Sequence, residues 1–127
     1  MERKMERADI AIIGTGPGGV SAALTAKVRN KNILLIGKKQ MSDKVSKAHQ
    51  IMNYPGLPAV TGADMAKAFE KQLAMMEIDI TDSRIGTVYA MGDYFAIQAG
   101  EEVLEAKSVI LACGVVSGKT LPGEEEM

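Results

Sequence analysis

The chain has 127 residues, of which 46% are hydrophobic and 24% are charged, with 15 lysines and arginines against 16 aspartates and glutamates. This length suits one domain over residues 1–127, and the balance excludes a disordered chain and a basic surface for nucleic acid. The longest aliphatic run, residues 109–116, is far shorter than the roughly 20 residues that cross a bilayer. We therefore expect a domain that binds neither nucleic acid nor membrane.

Two further features of the sequence indicate the cellular compartment of the protein. The first seven residues alternate acids and bases and lack the apolar core of a secretory signal. The sequence contains a single cysteine, Cys113, so no disulfide forms within the chain. We expect a cytoplasmic location, and we expect Cys113 to be a small buried hydrophobic residue at the end of an aliphatic strand.

The first third of the sequence has the pattern of a β-α-β unit. Residues 9–13 form an aliphatic run that ends at glycines, as a strand buried on both faces of a parallel sheet does. In residues 17–29 the larger apolar side chains recur at every fourth position, after an initial proline and before basic residues, which predicts a helix. A second aliphatic run, residues 33–36, stops at Gly37. Two parallel strands joined by a right-handed crossover are expected.

The remaining elements are less regular. Residues 38–62 lack periodicity and predict a long loop. Thr61 and Asp64 resemble a capping box that opens a helix of about 15 residues. We then expect strands at residues 78–80, 85–90, 94–98 and 103–106, and a separate aliphatic strand at 109–111. The predicted fold class is a Rossmann-like, three-layer α/β fold with a parallel sheet, helices and an antiparallel β-meander.

The clearest chemical motif lies between the first predicted strand and helix. Residues 14–19, Gly-Thr-Gly-Pro-Gly-Gly, match the G-x-G-x-x-G pattern of dinucleotide-binding loops. Gly14 permits a tight turn, Gly16 lets the backbone approach a pyrophosphate, and Gly19 lets the helix pack closely on the sheet. The N–H groups that open the helix then face the anion. The motif in this context predicts a dinucleotide site.

The end of the second strand leaves the kind of dinucleotide open. A ribose-binding acid is expected there, but the position holds Gly37, followed by Lys38 and Lys39. NAD recognition therefore lacks its usual carboxylate, while the lysines can meet either a 2′-phosphate or the phosphates of FAD. Three interpretations remain: an FAD-binding domain, an NADP-binding Rossmann half-domain, and a stand-alone dinucleotide-binding module without catalysis.

Four motifs in order resemble a known family. They are residues 9–19, which contain the glycine loop, Asn-Tyr-Pro-Gly at 53–56, Val-Ile-Leu-Ala-Cys-Gly at 109–114, and Leu-Pro-Gly-Glu at 121–124. Together they resemble the FAD domain of low-molecular-weight thioredoxin reductases, within the pyridine nucleotide-disulfide oxidoreductases. The lysines after the second strand and residues 88–95 resemble the ferredoxin-dependent branch of flavin thioredoxin reductases more than the NADPH-dependent branch.

The resemblance implies FAD as the cofactor. It places the pyrophosphate in the glycine loop, the segment after the second strand along the adenosine and flavin, and Asn53 near the isoalloxazine. It also implies that the strand end at residues 112–114 borders the cofactor and that the backbone at residues 84–85 contacts the adenine. The cofactor-binding residues implied in this way are Gly14, Gly16, Pro17, Gly18, Gly19, Gly37, Lys38, Asn53, Arg84, Ile85, Ala112 and Gly114.

The sequence departs from the family in one way that affects activity. In the family, a second domain with a Cys-x-x-Cys pair follows the Leu-Pro-Gly-Glu segment, whereas this sequence has one cysteine. We expect the N-terminal portion of a two-domain flavoprotein, inactive alone, without catalytic residues or metal ligands of its own. The resemblance implies thioredoxin or another small disulfide protein as partner of the complete protein, NADPH or ferredoxin as electron donor, and possible homodimers.

Overall fold

The computed structural model describes residues 7–40 and 48–114. Its strands and helices follow in the order expected for a β-α-β unit that continues into a meander. They are β1 (Ala8–Ile13), α1 (Pro17–Val28), β2 (Ile33–Gly37), α2 (Gly62–Met75), β3 (Ile80–Asp82), β4 (Ile85–Ala90), β5 (Phe95–Ala99) and β6 (Glu102–Leu111).

All six of these strands belong to one mixed sheet, in the order β3-β2-β1-β6-β5-β4. The pairs β3–β2, β2–β1 and β1–β6 are parallel, and the pairs β6–β5 and β5–β4 are antiparallel. The predicted α/β class, with a parallel sheet, helices and an antiparallel meander, is confirmed.

The core lies on both faces of the parallel strands. Neighbouring residues of a strand point to opposite faces, and Ile12 and Leu35 pack with both helices while Ala11 and Ile36 pack with the meander residue Ile97. All five side chains are at most 1% exposed. Because helices cover one face and the meander covers the other, the domain has three layers.

The helix α2 follows the sequence prediction closely. Its N-cap Thr61 accepts a hydrogen bond from the backbone N–H of Asp64 through its side-chain oxygen, at 3.1 Å. Met65, Phe69 and Leu73 are buried on one face, as their spacing predicts.

In the described part of the chain, no helix is both long enough and apolar enough to cross a membrane.

The prediction of two separate strands at residues 103–106 and 109–111 was wrong, because β6 is continuous. It pairs with β5 from Glu102 to Ala106 and with β1 from Ala106 onward. Ser108, a polar residue between the two segments, remains in the strand because β1 supplies a hydrogen-bond acceptor for it. Its Oγ donates a hydrogen bond to the Asp9 carbonyl oxygen at 2.8 Å. A single strand thus connects the meander to the parallel sheet.

The prediction of a strand at residues 78–80 was also wrong by two residues, since β3 begins at Ile80. The end of α2 explains the shift. Glu77 takes a left-handed conformation with φ 56°, and Ile78 N–H donates to the Leu73 carbonyl at 2.9 Å. This is a Schellman-type helix end, in which Ile78 is 8% exposed and packs in the core with Leu73. Ile78 therefore ends the helix instead of starting the strand.

Asp9 links the start of β1 to two neighbouring segments. Its contribution to the stability of the fold depends on pH and can be tested. Its Oδ2 accepts the Asn32 N–H at 2.9 Å, and its Oδ1 lies 3.5 Å from Lys107 Nζ. The hydrogen bond from Asn32, with a further contribution from Lys107, lowers the pKa of Asp9. Since the folded pKa lies below the unfolded value of about 3.9, Asp9 stabilises the fold above that pH and ceases to do so as the pH falls through the folded value.

We therefore expect Asp9→Asn to lower the stability near neutral pH and to lower it progressively less as the pH falls from about 5 through the unfolded and then the folded pKa, because the wild-type carboxylate becomes protonated. Urea unfolding of both proteins across this range measures the difference. Asp79→Asn, at an exposed aspartate, is the control. A difference between wild type and Asp9→Asn that does not change with pH would contradict this role of Asp9.

Candidate functional site

The glycine loop lies where three parallel strands end. Gly14 N–H donates to the Ile36 carbonyl at 2.9 Å, and Ala112 N–H donates to the Ile13 carbonyl at 2.8 Å. The loop after β1 is thereby joined to the ends of β2 and β6. The chain leaves β1 through α1 toward β2, while β6 lies on the other side of β1. Ligands of open α/β sheets bind at such a switch point, outside the carboxyl ends of the strands.

Two glycines allow the backbone segments to approach one another. A Cβ on Gly19 would lie 1.7 Å from the Gly14 carbonyl oxygen, and a Cβ on Gly14 would lie 1.9 Å from the Ala112 carbonyl oxygen. Gly14 also has φ 123°, which side chains rarely permit. The first turn of α1 therefore packs on the glycine loop, and the loop packs on the end of β6, without any side chain between them.

The N-terminus of α1 presents free hydrogen-bond donors. Its N-cap, Gly16, has no side chain to cap the helix, and its first turn contains no acid. Pro17 has no N–H, and Val20 N–H is bonded to the Gly16 carbonyl at 3.0 Å. The N–H groups of Gly18 and Gly19 thus have no partner within the helix. Together with the helix dipole, equivalent to about half a positive charge, they suit an anion such as a phosphate.

The space in front of these donors is open. A Cβ on Gly16 would meet no atom within 4 Å, and one on Gly18 would come only to 3.8 Å from Ala112 Cβ. Gly16 therefore does not serve close packing. Its lack of a side chain leaves room for a ligand to approach the N–H groups of the first turn.

The structure brings together most of the residues that the sequence singled out. Thr15 in the loop donates from Oγ1 to the Lys38 carbonyl at 2.6 Å, so Gly37 and Lys38 lie directly beside the loop. Ala112 and Gly114 follow β6 on the other side, and Gly114 has φ 67°. Gly37, Lys38 and Ala112 thus lie against the glycine loop, and Gly114 follows two residues after Ala112.

Asn53, Arg84 and Ile85 lie further out. Asn53 is exposed in the segment that the antiparallel bridge between Ile51 and Val60 closes, and no hydrogen bond among the described residues links it to the loop. Arg84 lies two residues after Asp82, which is the register partner of Gly37. Ile85 begins β4 and packs against the core cluster on the meander side.

Two features differ from or add to the sequence interpretation. Cys113 is exposed, not buried, and its Sγ lies 3.8 Å from the Ile13 carbonyl oxygen. Cys113 lies two residues beyond the end of β6 at Leu111, outside the strand in which its burial was expected. Thr15 was missed because its position in the motif is variable. The sequence signal that could have revealed Thr15 is the glycine at position 37, where an acid is usual. The side chain of Thr15 occupies the space beside this glycine.

A cavity of about 510 Å³ lies elsewhere among the described residues. It is an open groove between α1, α2 and the turn at residues 54–57, lined by apolar side chains that include Leu24 and Met75. None of the residues of the glycine loop lines it. The candidate site is therefore the open crevice at the strand ends, and not this groove.

The crevice and the sheet order define a Rossmann-like α/β domain with an added meander. A family model for pyridine nucleotide-disulphide oxidoreductase matches residues 8–127, and the chain belongs to this family. Within the family the chain is similar to thioredoxin reductases.

The comparisons with individual proteins support this assignment. A crystal structure of a ferredoxin-flavin thioredoxin reductase from Clostridium acetobutylicum is 45% identical, with a TM-score of 0.87, over 96% of this chain and 42% of that chain. A second such structure from the same organism is 39% identical, with a TM-score of 0.84, over 94% and 42%. A thioredoxin reductase from Peptoclostridium acidaminophilum is 34% identical over 94% of this chain and 38% of its own. This chain spans only 38 to 41% of the length of the first curated relatives that it matches.

Proposed function

We propose that this chain is the N-terminal FAD-binding domain of a thioredoxin reductase-like flavoprotein, and that the N–H groups opening α1 bind the diphosphate of FAD. The observation that carries the proposal is the uncapped N-terminus of α1, with the free N–H groups of Gly18 and Gly19, at the ends of three parallel strands. The open space at Gly16 fits an anionic group brought close to the backbone.

The solved relatives favour FAD over NAD. Gly37 offers no carboxylate for the hydroxyls of an adenosine ribose, but FAD and NAD carry the same ribose, so the end of β2 does not distinguish them. The solved proteins at 45% and 39% identity are named as flavin enzymes, which agrees with a flavin dinucleotide.

The remaining residues take roles by their place around the crevice. Lys38 supplies a positive charge beside the loop, Ala112 and Gly114 supply backbone on the opposite side, and Asn53 approaches the flavin end. Arg84 and Ile85 supply backbone near the adenine end. FAD, when bound, supplies the electron-transfer chemistry. The residues of this chain bind and orient it.

The activity proposed for the complete protein needs a second domain. Electrons would pass from NADPH or ferredoxin through the flavin to a pair of cysteines and on to thioredoxin or another small disulfide protein. This chain contributes one cysteine, and a dithiol needs two. Its own part is therefore to hold the cofactor. A homodimer and a cytoplasmic location stay predictions.

One observation favours a second candidate. Lys38 and Lys39 are both exposed at the end of β2, where a 2′-phosphate of NADP is bound in some Rossmann domains. An NADP-binding half-domain, or a module that binds a dinucleotide without catalysis, uses the same glycine loop. The choice between FAD and NADP is open to direct measurement.

Equilibrium titration of the purified chain separates these functions. We expect FAD to bind at least about tenfold more tightly than NADP⁺, a difference of about 1.4 kcal/mol, as measured by flavin fluorescence for FAD and by calorimetry for both. ADP, which carries the diphosphate without the flavin, should compete with FAD. Binding of NADP⁺ with no binding of FAD would contradict the proposal and favour the half-domain.

A further inference from the structure

The end of β3 places an acid beside the glycine that ends β2. Asp82 is the last residue of β3, and its register partner in the parallel sheet is Gly37, the last residue of β2. Neighbouring strands of a sheet lie about 4.8 Å apart. The carboxylate that the end of the second strand lacks is therefore present one strand further along the same edge of the sheet.

Asp82 points to the face of the sheet that α1 and the glycine loop cover. Residues two apart in a strand share a face, and Ile80 packs against the core cluster that contains residues of α1 and α2. The register partner of Asp82 points the same way, since a Cβ on Gly37 would lie 2.7 Å from Thr15 Cγ2 in the loop. The Asp82 carboxylate thus lies on the same face and at the same edge as the free N–H groups of α1.

The side chain of Asp82 is open to a ligand. It is exposed, and among residues 7–40 and 48–114 no side chain or backbone N–H donates a hydrogen bond to it and no cation forms an ion pair with it. A carboxylate only accepts hydrogen bonds, and a ribose hydroxyl can donate one. Acids at the strand ends of dinucleotide-binding domains bind the 2′-hydroxyl of the ribose in this way.

The course proposed for the dinucleotide brings its ribose to this acid. The diphosphate is assigned to the N-terminus of α1, and the adenine to the backbone of Arg84 and Ile85. Because the adenosine ribose joins these two groups, it must lie between them. Asp82 precedes Arg84 by two residues, and its register partner Gly37 lies against the glycine loop. Asp82 is therefore placed between the two ends of the adenosine diphosphate.

We propose that Asp82 is the ribose-binding residue of this crevice, and that its carboxylate accepts a hydrogen bond from the 2′-hydroxyl of the adenosine. The inference rests on the proposed function and deepens it by naming the group that binds the ribose. FAD, NAD⁺ and ADP carry the same ribose, so Asp82 serves all three alike. NADP⁺ carries a phosphate in place of the 2′-hydroxyl, and the carboxylate repels it, against the attraction of Lys38 and Lys39.

A cycle of two ligands and two proteins isolates the hydrogen bond. The ligands are ADP and 2′-deoxy-ADP, and the proteins are wild type and Asp82→Ala, all compared by calorimetric titration. We expect wild type to bind ADP about tenfold more tightly than 2′-deoxy-ADP, as the loss of a hydrogen bond to a charged group implies. Asp82→Ala should bind the two ligands within about twofold of each other. The change in charge affects both ligands equally and cancels in the cycle.

Asp79→Ala is the matched control, because it removes the same charge from an exposed aspartate just before the opposite end of β3. It should keep the wild-type preference for ADP. Since Asp82 is exposed, Asp82→Ala should melt within about 3 °C of wild type, so a change in binding does not come from loss of the fold.

NADP⁺ gives a second readout with the opposite sign. We expect Asp82→Ala to weaken the binding of ADP and to strengthen that of NADP⁺ by about fivefold, the size of a close charge interaction in water. Asp79→Ala should change neither affinity by more than about twofold. A loss of affinity for NADP⁺ in Asp82→Ala would overturn the role of Asp82.

The outcomes separate this inference from the proposed function. If wild type binds ADP and FAD but does not prefer ADP to 2′-deoxy-ADP, or if Asp82→Ala keeps that preference, the role of Asp82 is overturned and the proposed function stands. If wild type binds neither ADP nor FAD, the proposed function fails, and the role of Asp82 fails with it.

Discussion

Gly19→Ala is expected to destabilise the domain by about 3 kcal/mol or more, at the upper end of the range for overpacking. The added Cβ would lie 1.7 Å from the carbonyl oxygen of Gly14 and 2.7 Å from its carbonyl carbon. Both are backbone atoms, so no side-chain rotation relieves the contact. The first turn of α1 must then move away from the glycine loop, and FAD binding should be lost with it. Urea unfolding gives the change in stability.

The adjacent glycine provides the matched control. A Cβ on Gly18 would lie 3.8 Å from Ala112 Cβ, an ordinary contact. Alanine also has a higher helix propensity than glycine, by up to about 1 kcal/mol. Gly18→Ala should therefore retain or raise the stability. If the two alanine variants are equally stable, Gly19 does not have the packing role assigned to it.

Gly16→Asp is expected to abolish FAD binding while leaving the fold intact or more stable. The side chain enters open space, since a Cβ at this position meets no atom within 4 Å. As an N-cap, aspartate accepts hydrogen bonds from first-turn N–H groups and interacts favourably with the helix dipole, which adds a few tenths to about 1 kcal/mol to the stability of the free protein. The same carboxylate occupies the donors proposed for the diphosphate and repels it, so we expect affinity for FAD to fall by about 100-fold or more.

Gly16→Asn separates charge from size. Asparagine also caps a helix, but it carries no charge to repel a phosphate. We expect the asparagine variant to be somewhat less stable than the aspartate variant, because it caps the helix without the charge–dipole interaction, and to bind FAD more tightly. Loss of stability in Gly16→Asp, or unchanged affinity for FAD, would contradict the assigned site. Thermal unfolding of the free proteins and fluorescence titration with FAD measure the two quantities separately.

Much of the fold follows from local patterns in the sequence. The extent of α1 and α2 is predictable because apolar spacing, the initial Pro17 and the Thr61 cap act within each helix. The glycine loop is predictable for a similar reason, since its glycines lie at fixed spacing between a strand and a helix. These features need only a few neighbouring residues to specify them.

The differences arise where distant segments decide the outcome. The continuity of β6 depends on Ser108 bonding to Asp9, which lies 99 residues away in the sequence. The late start of β3 depends on Ile78 packing in the core cluster that β1, β2 and α1 also form. The hydrogen bond from Thr15 to the Lys38 carbonyl likewise joins two segments whose proximity only the folded sheet establishes. Patterns within a single segment carry no signal of these contacts.

The most direct measurement is an NMR titration of the ¹⁵N-labelled chain with FAD, with ADP, and with riboflavin, which lacks a diphosphate. If the N–H groups opening α1 bind the diphosphate, the amide resonances of Gly18 and Gly19 should shift with FAD and with ADP and should not shift with riboflavin. Saturable binding of FAD that leaves both resonances unmoved would contradict the assignment, because the cofactor would then be held elsewhere on the domain.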